Sequence, residues 1–102
     1  MINRNKGSII TLHSHPNNNP PTGSDLLSAA RHGYKKGYVV TIAGDLHEYE
    51  LLKKNKEALF TFKRFDNKVA RKMELSYNQN EVGAIKSVLE ELFRFVLWRE
   101  MK

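Results

Sequence analysis

The chain contains no cysteine among its 102 residues, which excludes disulfides, iron–sulfur clusters and thiolate zinc sites. It also lacks any apolar run approaching the roughly 20 residues that a membrane-spanning helix needs. The first seven residues are polar and lack the apolar core of a signal peptide. We therefore expect a cytoplasmic protein without a membrane segment, in which any metal ion is bound by His, Asp or Glu.

What the sequence does contain is the composition of one folded domain. Hydrophobic residues make up 40% and charged residues 27%, as in globular proteins. A length of 102 residues allows one modest core and is too short for two ordinary domains. The 17 Lys and Arg against 11 Asp and Glu give a formal net charge of +6, which permits attraction to nucleic acid or another polyanion.

Hydrophobic periodicity predicts strands early in the chain and helices later. The expected elements are a strand at 8–13, a proline-rich loop at 16–23, a helix between Asp25 and Gly37, a hairpin of strands at 38–43 and 46–51, and helices at 54–73 and 81–93. Residues 59–65 could instead form a strand, and residues 95–98 could extend the last helix or form a short final strand. The expected fold class is α/β (α+β), a mixed sheet with flanking helices and a C-terminal helical extension.

Two histidines end the first predicted strand and are separated by one residue. In a strand, residues i and i+2 project from the same face, so His13 and His15 should point into the same space. Asp25 follows the proline-rich loop and lies where the first helix should begin. Two imidazoles and one carboxylate are the ligand set of an open, catalytic zinc site. On spacing alone, the three could equally lie near one another by accident in a polar loop.

The order His-Ser-His-Pro, a proline-rich loop and Thr-Gly-Ser-Asp-Leu resembles the signature of the JAMM (MPN+) metallopeptidases. That pattern is His-x-His-Pro, about seven further positions, and then Ser-x-x-Asp. The resemblance implies that His13, His15 and Asp25 are zinc ligands. It also implies that Thr22 occupies the serine position, whose hydroxyl helps to stabilise the tetrahedral oxyanion, although Ser24 is an alternative. In this chain the loop is one residue shorter than usual, and Thr replaces Ser.

This resemblance covers about residues 8–52, and the later helices look similar to C-terminal extensions of JAMM-like proteins from phages and mobile elements. It implies one domain, in which residues 1–52 form a JAMM/MPN-like zinc-binding core that is incomplete at its N-terminus. Residues 53–102 would pack on this core as a helical extension. The implied chemistry is zinc-assisted hydrolysis of an amide or isopeptide bond in a protein or peptide substrate, ubiquitin-like proteins included.

The family mechanism also needs a glutamate upstream of the histidines as general base. Residues 1–12 contain neither Glu nor Asp, so we expect a chain that binds zinc but is incomplete or inactive as a peptidase. Glu48 and Glu50 on the hairpin could substitute, the alternative being that both are ordinary surface carboxylates. Of the other histidines, His32 is expected to stabilise a helix end and His47 to be a half-exposed strand residue.

The competing function is a non-catalytic interaction module. Residues 53–72 are strongly basic, and the interleaved Phe60, Phe62 and Phe65 would permit base stacking beside phosphate contacts. The alternative is that these aromatic residues form a core stripe and the lysines a solvated face. An incomplete sheet edge would also favour self-association, so a homo-oligomer is a further expectation.

Overall fold

The computed structural model describes residues 10–75 and 80–101; residues 8 and 9 of the first predicted strand lie outside this part. The described residues form four strands and four helices. In chain order these are β1 (Ile10–Ser14), α1 (Gly23–Arg31), β2 (Lys36–Val40), β3 (Leu46–Leu51), α2 (Lys56–Lys63), α3 (Phe65–Leu75), α4 (Glu81–Glu91) and β4 (Val96–Met101).

The strands form one mixed sheet in the order β1-β2-β3-β4. β1 and β2 are parallel and are connected by α1, because a parallel pair needs a crossover. β2 and β3 form the predicted antiparallel hairpin, and β4 adds antiparallel to β3. The predicted α+β class is therefore confirmed. Residues 95–98 were predicted to be either helix or strand, and the structure has a strand there. The predicted helical extension therefore also contributes β4, at the edge of the sheet.

The long helix predicted over residues 54–73 is two helices that meet at Arg64. Asn55 caps α2 by accepting a hydrogen bond from the backbone N–H of Ala58 (2.9 Å). At the other end, the Arg64 N–H is shared between the carbonyl oxygens of Phe60 and Thr61, both at 3.2 Å, which tightens the last turn. The helix ends there, and α3 starts at Phe65. The alternative strand at residues 59–65 is therefore wrong.

The helices pack on one face of the sheet, and the core lies between them. Its buried members from the sheet are Val39, Tyr49, Leu51 and Val96, and those from the helices are Leu26, Ala29, Ala58, Phe62, Phe65, Val69, Ala84, Ile85, Val88 and Leu89. The opposite face carries Leu12 and Leu97, whose side chains are 66% and 57% exposed. Every helix in the described part of the chain is too short or too polar to cross a bilayer.

Candidate metal centre

The end of β1 holds the two histidines on the helix-covered face of the sheet. His13 pairs with Val39 of β2, and paired residues share a face, so His13 lies on the side of the buried core. The ladder continues past the strand, since the His15 N–H donates to the Val40 carbonyl oxygen (2.9 Å). The Asn17 carbonyl oxygen then accepts from the Ile42 N–H (3.0 Å). These bonds fix the start of the proline-rich loop against β2 and keep both imidazoles on the same side.

The first turn of α1 orients the carboxylate of Asp25. Thr22 is the N-cap residue, and its backbone N–H and its hydroxyl both donate to Asp25 Oδ2, at 2.9 and 3.2 Å. The backbone bond is the return half of a capping box, which satisfies an otherwise unpaired N–H at the start of the helix. Asp25 is 7% exposed. Its carboxylate is therefore held at one position by the residue that begins the helix.

The structure brings the three predicted ligands together. His13 Nδ1 lies 3.1 Å from Asp25 Oδ1, and His15 Nε2 lies 3.2 Å from Asp25 Oδ2. The side chains of His15 and Asp25 are 16% and 9% exposed, whereas that of His13 is 39% exposed. Solvent therefore reaches the cluster from the His13 side.

The hydrogen bond made by His15 Nδ1 determines whether His15 Nε2 is a donor or an acceptor. Nδ1 lies 2.8 Å from the carbonyl oxygen of Asn19, which only accepts, so Nδ1 carries a proton. In a neutral imidazole Nε2 is then an acceptor, and it faces a carboxylate oxygen that is also an acceptor. Two acceptors at this separation repel each other unless a proton or a metal cation lies between them. This pair therefore calls for positive charge at the point where His15 meets Asp25.

Two imidazoles and one carboxylate are residue types that bind zinc in proteins. In this structure the three side chains contact one another. No group of three His, Cys, Asp or Glu side chains within residues 10–75 and 80–101 is arranged around a common metal position. Tetrahedral zinc with bonds of 2.0–2.1 Å keeps neighbouring ligand atoms about 3.3 Å apart. The histidine–carboxylate separations of 3.1 and 3.2 Å end on different oxygens of Asp25, Oδ1 and Oδ2, so they do not define one shared metal position. To bind a metal ion, the three side chains would have to move apart so that each contacts the ion instead of its neighbour.

Thr22 lies beside the cluster, and its hydroxyl is engaged with Asp25 rather than free. It also lines a cavity of about 200 Å³ together with Asn19, Asp66, Glu81 and apolar side chains of α3 and α4. The alternative hydroxyl, that of Ser24, belongs to an exposed residue in the first turn of α1. Of the two hydroxyls, that of Thr22 donates a hydrogen bond to a candidate ligand, Asp25.

The two glutamates of the hairpin lie on the wrong face to serve the histidines. Glu48 pairs with Tyr38 of β2, whereas His13 pairs with the next residue, Val39. Because neighbouring residues in a strand project from opposite faces, the side chains of Glu48 and His13 lie on opposite sides of the sheet. It is 8% exposed and accepts hydrogen bonds from Tyr38 Oη (2.8 Å) and Arg99 Nε (2.7 Å). These bonds lower the pKa of Glu48, and the one from Tyr38 is the larger cause. Glu50, two residues on, projects from the same side as Glu48.

Two contacts at the site were not predictable from the motif. Asn19 supplies the carbonyl oxygen that His15 contacts, and its side-chain amide donates to Glu81 Oε1 at 3.4 Å. This places a glutamate from the C-terminal half of the chain next to the loop that holds His15. Because Asn19 and Glu81 are 62 residues apart, no local pattern could have linked them.

The expectation that His47 is half-exposed is wrong, since it is 1% exposed. Its Nδ1 accepts a hydrogen bond from Trp98 Nε1 (3.2 Å), and the two rings are stacked. Burial is the main cause that lowers the pKa of His47, and the carboxylate of Glu100 partly offsets it. The register could have indicated this position, because His47 pairs with Val39, which in turn pairs with His13. A neutral, buried histidine therefore lies in the same cross-strand row as the candidate site.

Comparisons of the chain with protein-family models, with curated proteins and with solved structures find no match. The interpretation of this cluster therefore depends on the sequence motif and on the geometry described above.

Proposed function

We propose that this chain is a zinc-binding, JAMM-like domain in which His13, His15 and Asp25 hold the ion. The observation that carries the proposal is the contact of His15 Nε2 with Asp25 Oδ2 while Nδ1 is committed to a carbonyl oxygen. A divalent cation would supply the positive charge that this pair of acceptors requires, a role that a second proton on the His15 ring would otherwise fill. When bound, zinc in such a site acts as a Lewis acid toward a carbonyl oxygen and activates water.

The surrounding residues have the contacts that a metal site uses to orient its ligands. The Asn19 carbonyl oxygen fixes the ring of His15, and the N–H and hydroxyl of Thr22 fix the carboxylate of Asp25. Such outer contacts raise metal affinity by about 10- to 100-fold in known sites. The loop from His15 to Thr22 therefore acts as a support for the ligands.

The related chemistry is hydrolysis of amide or isopeptide bonds in proteins or peptides, and this chain supplies only part of it. The Thr22 hydroxyl is the candidate donor to a developing oxyanion, once it is released from Asp25. Glu48 and Glu50 project from the opposite face of the sheet and cannot exchange a proton at the cluster. We therefore propose that the chain binds zinc but does not hydrolyse peptides by itself.

Zinc content and zinc affinity test this proposal. Chain purified from zinc-supplemented medium should contain close to one zinc per molecule by elemental analysis. His13→Ala and Asp25→Ala should each weaken binding by more than about 100-fold, beyond the effect typical of outer contacts. Thr22→Ala should have a smaller effect.

His32→Ala is the matched control, because that imidazole is exposed and lies away from the cluster, where it contacts the Ser28 carbonyl oxygen of its own helix and stacks on Tyr34. It should leave zinc affinity unchanged. Absence of zinc that titration does not restore, or equal affinities in all four variants, would contradict the assignment of the ligands.

A further inference from the structure

The positive charge of the chain is concentrated in one segment. Residues 53–72 contain eight Lys or Arg and two Asp or Glu, a surplus of six that equals the formal net charge of the whole chain. The other 82 residues contain nine of each sign and are neutral overall. Positive charge that served only for solubility would not need to be concentrated in α2, α3 and the residues directly before them.

Three of these cations form a stripe that starts at Arg64, directly before α3, and continues along α3. Arg64, Lys68 and Arg71 follow the i, i+4, i+7 spacing, so they lie on one side of the helix. They line an open groove of about 580 Å³ with Asn67, Ala70 and Glu74. Among residues 10–75 and 80–101, Lys72 of the same helix forms an ion pair with Glu91, whereas the three cations of the stripe form none. Their charge is therefore largely available to a partner.

An exposed aromatic ring lies at the end of this stripe. Phe62 and Phe65 are 1% and 0% exposed and belong to the core, but Phe60 is 59% exposed. The guanidinium of Arg64 lies 5.4 Å from the centroid of the Phe60 ring. Proteins that bind single-stranded nucleic acid combine these two features, stacking bases on aromatic rings while cations contact the phosphates.

The stripe faces away from the candidate metal centre. Asp66, Val69 and Met73, from the other side of α3, line the cavity that Thr22 also lines, and this cavity shares Ala70 with the groove. Substitutions in the stripe should therefore leave the zinc ligands untouched.

We propose that Phe60, Arg64, Lys68 and Arg71 form a binding surface for single-stranded nucleic acid. One base stacks on Phe60, and the three cations contact successive phosphates. An exposed base is available in a single strand but not in a duplex, which favours the single strand. An acidic peptide would use the cations but not the ring.

Fluorescence anisotropy with a dye-labelled oligothymidylate of about 12 nucleotides, a length within the range of known single-strand sites, tests the proposal on the full chain. Three phosphate contacts predict that log K falls with log salt with a slope of about −2 between about 50 and 200 mM. Lys68→Gln combined with Arg71→Gln should reduce the slope to about −0.7. Phe60→Ala should weaken binding by about 5- to 150-fold without changing the slope, and Phe60→Tyr should restore it.

Matched controls distinguish this surface from a general charge effect. Arg31→Gln combined with Arg94→Gln removes two exposed cations elsewhere that form no ion pair among the described residues, and it should leave binding nearly unchanged. Phe93→Ala removes another exposed ring, 65% exposed and beside Arg94, and should have no effect. The proposal is overturned by no detectable binding at low salt, by equal losses in the control variants, or by duplex DNA or polyglutamate competing as well as the single strand.

Discussion

Replacing Asp25 by asparagine should separate the structural role of this side chain from its proposed metal-binding role. The amide oxygen can still accept from the Thr22 N–H, so without zinc the cost should lie at the lower end of the about 0.5–2 kcal/mol found for lost caps. The expected contribution of bound zinc to stability is larger. Zinc at 100 times its Kd adds about 2.7 kcal/mol to the free energy of unfolding. In a domain of this size that raises the melting temperature by about 10–20 °C.

Far-UV circular dichroism of chelator-treated protein, melted with and without this excess of zinc, measures both quantities. The unaltered chain should show the full rise, and Asp25→Asn should show a small loss without zinc and almost no rise with it. Asp66→Asn is the matched control, because Asp66 occupies the first turn of α3 and is exposed. A full zinc response in Asp25→Asn, or no response in the unaltered chain, would refute the reasoning.

Three further predictions concern activity, packing and pH. The zinc-loaded chain should not cleave ubiquitin-like or peptide substrates above background; zinc-dependent turnover that Glu81→Gln abolishes would instead identify that residue as the base. Gly37→Ala should destabilise the fold by about 1–3 kcal/mol in urea unfolding, because its Cβ would lie 2.3 Å from the Tyr49 ring. The pKa of Glu48 is lowered, first by its hydrogen bond from Tyr38, so its stabilisation should be complete above the ordinary carboxyl pKa and lost as the pH falls through the lowered value. Urea midpoints across this range should fall less steeply in Glu48→Gln, and parallel curves would contradict the assignment.

Local patterns were sufficient where neighbouring residues determine the structure. The hairpin follows from the apolar run of β2 and the turn at Gly44, whose φ of +90° suits glycine. The i, i+2 spacing of His13 and His15 similarly predicts their shared face. Patterns were insufficient where pairing is distant. The strand at residues 96–101 exists because it pairs with β3, about 50 residues earlier, and its own sequence is equally compatible with a helix.

The same distinction applies to the candidate site. The sequence motif indicates the candidate ligands and the cap, since Thr22 and Asp25 are one helical turn apart. The motif does not indicate which carboxylates from the rest of the chain face the cluster. Glu48 lies on the other side of the sheet because of strand register, and Glu81 meets Asn19 only through the packing of α4. Neither position could be assigned before the sheet order and the helix packing were known.

Among the described strands, β4 is the last to be synthesised, so the four-stranded sheet cannot be completed earlier. The Leu52 N–H donates to the Phe95 carbonyl oxygen (2.8 Å), so the two ends of the segment 53–94, which connects β3 to β4, lie next to each other. On the ribosome, all three candidate ligands are made by residue 25, but the sheet beneath them lacks its fourth strand until residue 101 has emerged. Until then β3 is an unpaired edge, which favours contact with other nascent chains. Any metal captured during synthesis would therefore be bound by a sheet still one strand short, and docking of β4 would be the step that completes its support.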